Sequence, residues 1–149
     1  LTGKKIAILG FAFKANTNDT RESPAIQICK SLLEEGANLK IHDPKVSKKQ
    51  ISTDLGIPSE DECIKKPEFS KLYNHKKWNK YSLKEDLFDD VDAIVILTEW
   101  DIYSKLDWNA ISNKLRAPGW VFDTRLIVDE QKVLASGLNL WRVGDGTRN

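Results

Sequence analysis

Apolar residues in this chain come in short unbroken runs, separated by segments whose apolar positions recur every three or four residues. Lys5-Ile6-Ala7-Ile8-Leu9, closed by Gly10, is apolar on consecutive positions, as are Asp92-Ala93-Ile94-Val95-Ile96-Leu97 and Trp120-Val121-Phe122. Strands of that kind are buried on both faces, which is the mark of a parallel sheet. Between the first two runs, Ile26, Cys29, Leu32 and Leu33 fall at helical spacing over Pro24 to Glu35. Ser23 stands as the cap, Pro24 at the first helical position and Gly36 at the stop. Asn38 to His42 reads as a second strand ended by Asp43-Pro44. Strand, crossover helix and strand make a βαβ unit with a right-handed crossover. Further along, Ser47 caps a short helix through Leu55, and Ser82 with Glu85 forms a capping-box pattern for a helix through Phe88. A helical pattern runs through Trp108, Ile111 and Leu115, and Pro118-Gly119 turns into the Trp120 strand. Asp129 caps a helix through Ala135, Gly137 stops it, and Leu138 to Val143 is the last strand. The pattern predicts an α/β fold: a Rossmann-like doubly wound, mostly parallel sheet with helices on both faces.

One stretch resists this reading. From 56 to 81, Pro58, Pro67 and scattered charges interrupt any period, and Phe69, Tyr73, Trp78 and Tyr81 fit neither a helix nor a strand. It is expected to be an irregular insertion with one helical turn around Glu68 to Tyr73 and a short edge strand near Lys80. Its aromatics are expected to anchor core or lid rather than to form a stacking surface. The chain begins Leu1-Thr2-Gly3 without methionine and ends soon after its last apolar run. Both ends read as cuts near domain boundaries, so the expectation is a piece of a larger polypeptide.

Composition narrows the functional classes. A chain of 149 residues is about one domain with a core of its own. A net charge of +1 gives no basic surface for nucleic acid or an acidic membrane. No apolar run reaches transmembrane length. Two cysteines, Cys29 and Cys63, do not make a disulfide scaffold and fit a reducing, cytoplasmic setting. With only His42 and His75 as histidines, no metal-ligand cluster emerges.

The candidate chemistry lies where strands end. The first strand runs into Gly10-Phe11-Ala12-Phe13-Lys14-Ala15-Asn16-Thr17-Asn18-Asp19-Thr20-Arg21-Glu22, just before the capped helix. The strand through Leu97 ends in Thr98-Glu99-Trp100, and the one through Phe122 in Asp123-Thr124-Arg125. A doubly wound sheet gathers these loops around one crevice at its carboxyl edge. Lys14, Arg21 and Arg125 would then share a cradle for a pyrophosphate, built from a flexible point charge, planar donor forks and free N–H groups at the helix's amino end. Each has a plainer alternative: Lys14 as a solvated loop charge, Arg21 as a partner of Asp19 or Glu22, Arg125 as a guanidinium held by Asp123. Glu99 serves equally as a strand-end acceptor for backbone N–H groups, Trp100 favours packing, and Thr17, Thr20 and Ser23 favour loop and cap roles.

Two features imitate known sites. Gly10 lacks the further glycines of a dinucleotide fingerprint and the Gly-Lys-Ser/Thr of a P-loop. Asp43 mimics the acidic residue that binds an NAD ribose, but turn formation with Pro44 explains it without that role. No nucleophile stands out either. Cys29 falls on the inward helix stripe, and Cys63 lies among Glu60, Asp61 and Glu62, which raise a thiol pKa. The candidate is a binding crevice whose chemistry is completed elsewhere.

Gly10 to Pro24, Ile41-His42-Asp43-Pro44, Asp92 to Trp100 and Phe122-Asp123-Thr124-Arg125 together resemble, in this order, the C-terminal UDP-binding domain of the UDP-glucose/GDP-mannose dehydrogenase family. Thr98-Glu99-Trp100 and Phe122-Asp123-x-Arg125 point to the UDP-glucose 6-dehydrogenase branch. The resemblance implies that residues 1–149 are a sugar-nucleotide-binding domain, a C-terminal fragment of an NAD-dependent enzyme that oxidises UDP-glucose at C6 to UDP-glucuronate for polysaccharide biosynthesis. It implies that Phe13, Lys14 and Arg125 hold the UDP-sugar, that Glu99 and Trp100 line the same cleft, and that Arg21 reaches toward NAD. The catalytic cysteine, the main NAD site and the dimer contact would belong to N-terminal and central domains, leaving this fragment inactive alone and the full-length enzyme a homo-oligomer. Two positions depart from the family pattern. Thr124 stands where glycine is frequent, and its side chain limits positive φ; Leu126 stands where a polar or basic residue is frequent. The alternatives are the same domain from a UDP-ManNAc or other nucleotide-sugar dehydrogenase, and a non-enzymatic nucleotide-binding module.

Overall fold

The computed structural model describes residues 1–73, 75–84 and 86–144. Its strands are β1 (Lys5–Leu9), β2 (Asn38–His42), β3 (Lys77–Lys80), β4 (Ala93–Ile96), β5 (Trp120–Asp123) and β6 (Asn139–Arg142). They form one sheet in the order β3-β2-β1-β4-β5-β6, with every adjacent pair parallel. The chain starts in the middle, winds out to β3, then returns to β4 on the other side of β1. The two halves therefore diverge between β1 and β4, where such sheets open a crevice at their carboxyl edge. This is the doubly wound fold expected from the apolar runs.

Burial follows position in the sheet. Central β1 has Ala7, Ile8 and Leu9 wholly buried, whereas no residue of edge strand β6 is. α1 (Pro24–Glu34) is capped by Ser23, whose side chain accepts from the Ala25 N–H, and buries Ala25, Cys29 and Leu33. α2 (Lys48–Leu55) is capped by Ser47 and ends at Gly56 in the left-handed region. α1 packs on α2, and α5 (Trp108–Ser112) packs on α6 (Glu130–Ala135). Right-handed crossovers put the two pairs on opposite faces.

The segment from 56 to 81 holds three short elements: α3 (Glu60–Lys65), α4 (Glu68–Leu72) and β3. α3 has no counterpart in the sequence reading, because a six-residue helix that buries only Cys63 shows no period. Its Ser59 cap, with Glu62 three residues on, was the available signal. Trp78 in β3 is wholly buried and donates its indole N–H to the Ile57 carbonyl at 2.9 Å.

Two helical expectations are corrected. Ser82 to Phe88 is not a helix: the described residues there form turns with Leu87 and Phe88 buried. Lys40 Nζ, from the neighbouring strand, donates to the carbonyls of Asp86 (2.7 Å) and Asp89 (3.1 Å), so a tertiary cation pins the segment's end in a turn. Glu85, the capping-box partner, lies outside the described residues. The pattern through Leu115 is also broken, into a 3-10 helix over Asp101–Lys105 and then α5. The break falls where Asp107 starts α5 as its cap, accepting from the Ala110 N–H at 3.1 Å.

Candidate functional site

The loop after β1 is fixed in place by a buried carboxylate. Gly10 turns with φ +99, and a Cβ there would lie 2.4 Å from the Thr98 side chain, so only glycine lets the β1 and β4 ends pass this closely. Beyond it, the Phe11 and Ala12 N–H groups both donate to Asp43 Oδ2, at 2.8 and 3.0 Å. Trp100 Nε1 adds a third donor to that oxygen at 3.2 Å. The Lys45 and Val46 N–H groups take Oδ1 at 2.8 and 3.0 Å. Asp43 is 1% exposed, and a carboxylate so enclosed by donors has nothing left to offer a ribose. With one glycine in the turn and its acidic residue turned inward, this rim does not fit a dinucleotide. Sequence reasoning missed Asp43 as an organiser, since two of its donor segments lie more than thirty residues away along the chain.

Residues 98–100 stitch β4 to that loop one after another. Thr98 Oγ1 donates to the Ala12 carbonyl at 2.9 Å. Glu99 Oε1 accepts from the Ala15 N–H at 3.1 Å, the acceptor role anticipated for it. Trp100, 6% exposed, reaches Asp43 from below. Its ring therefore supports the loop rather than facing solvent.

Arg125 is held differently from the sequence reading. Asp123 does not bind its guanidinium; Asp123 Oδ1 accepts from the Arg125 backbone N–H at 3.0 Å instead. The other oxygen, Oδ2, accepts from Ile127 and Val128 N–H at 2.8 and 3.0 Å. The carboxylate is thus filled by the turn's own amides, and the arginine side chain leaves it. Arg125 Nε donates to the Leu97 carbonyl at 3.0 Å and lies 3.4 Å from Glu99 Oε2. Thr124 causes no backbone strain: its hydroxyl donates to the Ile96 carbonyl at 2.6 Å, and the positive φ of this turn falls on Leu126 at +57.

The remaining predicted residues lie along the loop. Phe13, 42% exposed, and Lys14 are at its surface, and the Lys14 charge helps hold the Asp19 carboxyl down. Glu99 joins the backbone next to Lys14 to the guanidinium of Arg125 and so brings those two walls together. Arg21 is not part of this junction. Its Nε and Nη2 bind Asp19 at 3.0 and 2.9 Å. The hydrogen bonds from the Arg21 side chain, first, and from its backbone pull the Asp19 carboxyl down to about 2. The amino end of α1 does not offer the free N–H groups expected of it. Pro24 has none, Ala25 N–H is taken by Ser23 Oγ, and Ile26 N–H by the Ser23 carbonyl. The first turn of α1 is therefore closed to an anion by its own cap.

Titration elsewhere is set by burial. Cys29 is pushed up to about 12 by burial alone. Cys63 is also raised, by burial first and then by Glu62 and Glu60. Both shifts run opposite to what a nucleophilic thiol needs. His42, buried with its Nδ1 2.8 Å from the Tyr103 hydroxyl, is lowered to about 4 by burial and so is neutral at pH 7. Two of the larger cavities are centred elsewhere, though the second reaches the rim at Thr124. One of about 650 Å³ is lined by Lys48, Thr53 and Asp61, and one of about 630 Å³ by Leu32, Val95 and Phe122.

Residues 7–130 match the UDP binding domain of the UDP-glucose/GDP-mannose dehydrogenase family. Among individual proteins, the chain is 46% identical over 131 residues to a UDP-glucose 6-dehydrogenase of Pongo abelii, covering 87% of this chain and 24% of that protein. It is 42% identical over 144 residues to the UDP-glucose 6-dehydrogenase of Drosophila melanogaster, covering 97% of this chain and 29% of that protein. The chain thus spans less than a third of the length of the curated relatives it matches. Among solved structures, an NDP-N-acetyl-D-galactosaminuronic acid dehydrogenase from Methanosarcina mazei superposes with a TM-score of 0.70 at 22% identity, over 96% of this chain and 25% of that one, a likeness of fold alone. A UDP-glucose dehydrogenase from Pyrobaculum islandicum superposes with a TM-score of 0.62 at 25% identity, over 95% of this chain and 25% of that one.

Proposed function

Because the chain belongs to the UDP-glucose/GDP-mannose dehydrogenase family, matching its UDP-binding domain, we propose that it is the sugar-nucleotide-binding part of an NAD-dependent dehydrogenase that oxidises UDP-glucose at C6 to UDP-glucuronate. The observation that carries this reading is the junction at the carboxyl rim. Arg125 is tethered through Nε alone, beside the loop that carries Phe13 and Lys14. A planar fork and a flexible ammonium on one rim suit a diphosphate, and an exposed ring beside them suits the face of a base or sugar. UDP-glucose is favoured because the relatives above that are more than 40% identical are UDP-glucose 6-dehydrogenases.

NAD supplies the hydride acceptor when bound, and on this reading it is held mainly by N-terminal and central domains of the same polypeptide. Arg21, on the outer side of the loop, is this chain's residue for reaching it. The catalytic cysteine also belongs to that other part, since both thiols here are buried and raised. The chain alone is then inactive, and what it does is bind, orient and neutralise the phosphates. The full-length enzyme would be a homo-oligomer, working in the cytoplasm where buried free thiols stay reduced.

Titrating the chain with UDP-glucose should shift the amide resonances of residues 10–23, 98–100 and 123–125. The affinity should be modest, because the facing wall of the cleft is not part of this domain. Lys14→Ala and Arg125→Ala should each cost about 1.5–3 kcal/mol of binding, roughly 10- to 100-fold, with melting temperatures unchanged. Shifts confined to other regions, or wild-type affinity in both variants, would reject the site. A parallel titration with UDP-ManNAc tests the sugar, which the phosphate-directed side chains do not distinguish.

A further inference from the structure

We infer that Glu99 is the positioning residue of the diphosphate site: its carboxylate aims the Arg125 guanidinium before any nucleotide arrives. The inference rests on reading this rim as a UDP-sugar site. Glu99 is itself held between two fixed neighbours, with Thr98 bonded to the Ala12 carbonyl and Trp100 to Asp43. From there one oxygen takes the Ala15 N–H at 3.1 Å and the other lies 3.4 Å from Arg125 Nε. The Leu97 carbonyl takes the same Nε at 3.0 Å.

A guanidinium carries five N–H donors in a rigid plane. The Leu97 carbonyl accepts its Nε–H, and the Glu99 carboxylate makes its closest ionic approach at the same nitrogen. Among the described residues, neither Nη makes a hydrogen bond, so the four remaining donors are left for a ligand. One hydrogen bond and one ionic contact on the same corner restrict the direction of the Nη edge, which a single carbonyl leaves free to swing. Preorganised donors bind more tightly because less freedom is lost on association. An opposite role is available to the same carboxylate. As an internal anion touching Arg125 and a loop N–H, it would compete with the ligand's phosphates. The geometry favours positioning, because the closest contact is at Nε and no protein group takes a hydrogen bond from the Nη edge that meets phosphate side by side.

Calorimetry with UDP, and separately with inorganic pyrophosphate, distinguishes the two. Glu99→Ala should weaken UDP binding about tenfold and broaden the Arg125 Nε–H resonance while the melting temperature holds. Glu99→Gln, which keeps an acceptor for the Ala15 N–H but loses the charge facing Arg125, should fall between wild type and Glu99→Ala in both affinity and resonance width. Glu99→Asp, one methylene too short to span both partners, should behave like Glu99→Ala. Pyrophosphate should report the same ranking, since the effect is on phosphate recognition. Tighter binding by Glu99→Ala and Glu99→Gln would overturn positioning in favour of competition. Unchanged binding by Glu99→Ala, alongside a loss in Arg125→Ala, would overturn the inference while leaving the site intact. A wild-type chain that binds neither probe would overturn both.

Discussion

The tripeptide Asp-Thr-Arg occurs twice, as Asp19-Thr20-Arg21 in the loop after β1 and Asp123-Thr124-Arg125 at the end of β5. In both copies the arginine N–H donates to the aspartate Oδ1, at 2.9 and 3.0 Å. In both, the next residue adopts a left-handed conformation, Glu22 at φ +60 and Leu126 at φ +57. The side chains then part company. Arg21 folds back onto Asp19 through two nitrogens. Arg125 turns away to Leu97 and Glu99. The difference lies in the aspartates. Asp123 is wholly buried and its second oxygen already holds the Ile127 and Val128 N–H groups. Asp19 is 37% exposed and has an oxygen to spare for its own arginine. A carboxylate filled by its turn leaves the neighbouring cation to more distant acceptors, whereas one with room to spare pairs with it on the spot.

Asp123→Ala attacks the buried copy and should have the largest effect. Three backbone donors lose their acceptor, at about 1–3 kcal/mol for each one left unsatisfied and less than additively, so a total near 3 kcal/mol is expected. For a domain of this size that lowers the melting temperature by about 6–12 °C. The Arg125 anchoring should loosen with it. Asp19→Ala should leave the melting temperature nearly unchanged, because water replaces the carboxylate. Equal losses from the two substitutions would break the contrast.

Much of the fold was legible because its signals are local. Consecutive apolar residues marked β1, β4 and β5; serine or aspartate caps marked α1, α2 and α6, with glycine stops for α1 and α6. Ser82 to Phe88 misled because its cap pattern is local while the Lys40 ammonium that binds the Asp86 and Asp89 carbonyls comes from another strand. The site divides along the same line. Lys14 and Arg125 were visible as basic residues at strand ends. Which acceptor each cation keeps was not visible, and the two copies of Asp-Thr-Arg were read alike. The Leu97 carbonyl that tethers Arg125 has no signature in the residue type. Nor does the satisfaction of Asp123 by amides downstream.

Leu126→Gly probes the shared backbone with a smaller effect. A branched side chain at φ +57 costs roughly 1–2 kcal/mol, part of which glycine returns as lost freedom in the unfolded chain. Because Leu126 is 48% exposed, little packing is forfeited, and a gain of up to about 1 kcal/mol in urea unfolding is expected. A loss above that size would mean that the Leu126 side chain holds the turn, and with it the aim of Arg125.

Arg21→Ala should move least in stability and most in titration. Asp19 and Arg21 form an exposed pair, with the arginine side chain 88% accessible, and such pairs contribute little to folding. The melting temperature should therefore barely change. The Asp19 carboxyl, however, sits at about 2 first because the Arg21 side chain bonds it and second because the Arg21 backbone N–H does. Alanine removes the first and keeps the second, so the midpoint followed by carboxyl NMR should rise toward, but not reach, the ordinary value of 3.8. The sign follows: a carboxyl lowered on folding stabilises the folded chain above its ordinary value, and that contribution fades as pH falls from there toward 2. Any difference between variant and wild type should be largest above that window, shrink through it and vanish below it. A midpoint left at about 2 would mean that the backbone N–H alone holds the proton off, leaving the Arg21 side chain as free for an anion as that of Arg125. A raised midpoint would mean that Arg21 must first leave Asp19, so any ligand it meets binds against that local competition, while Arg125 has no such partner to abandon at Asp123.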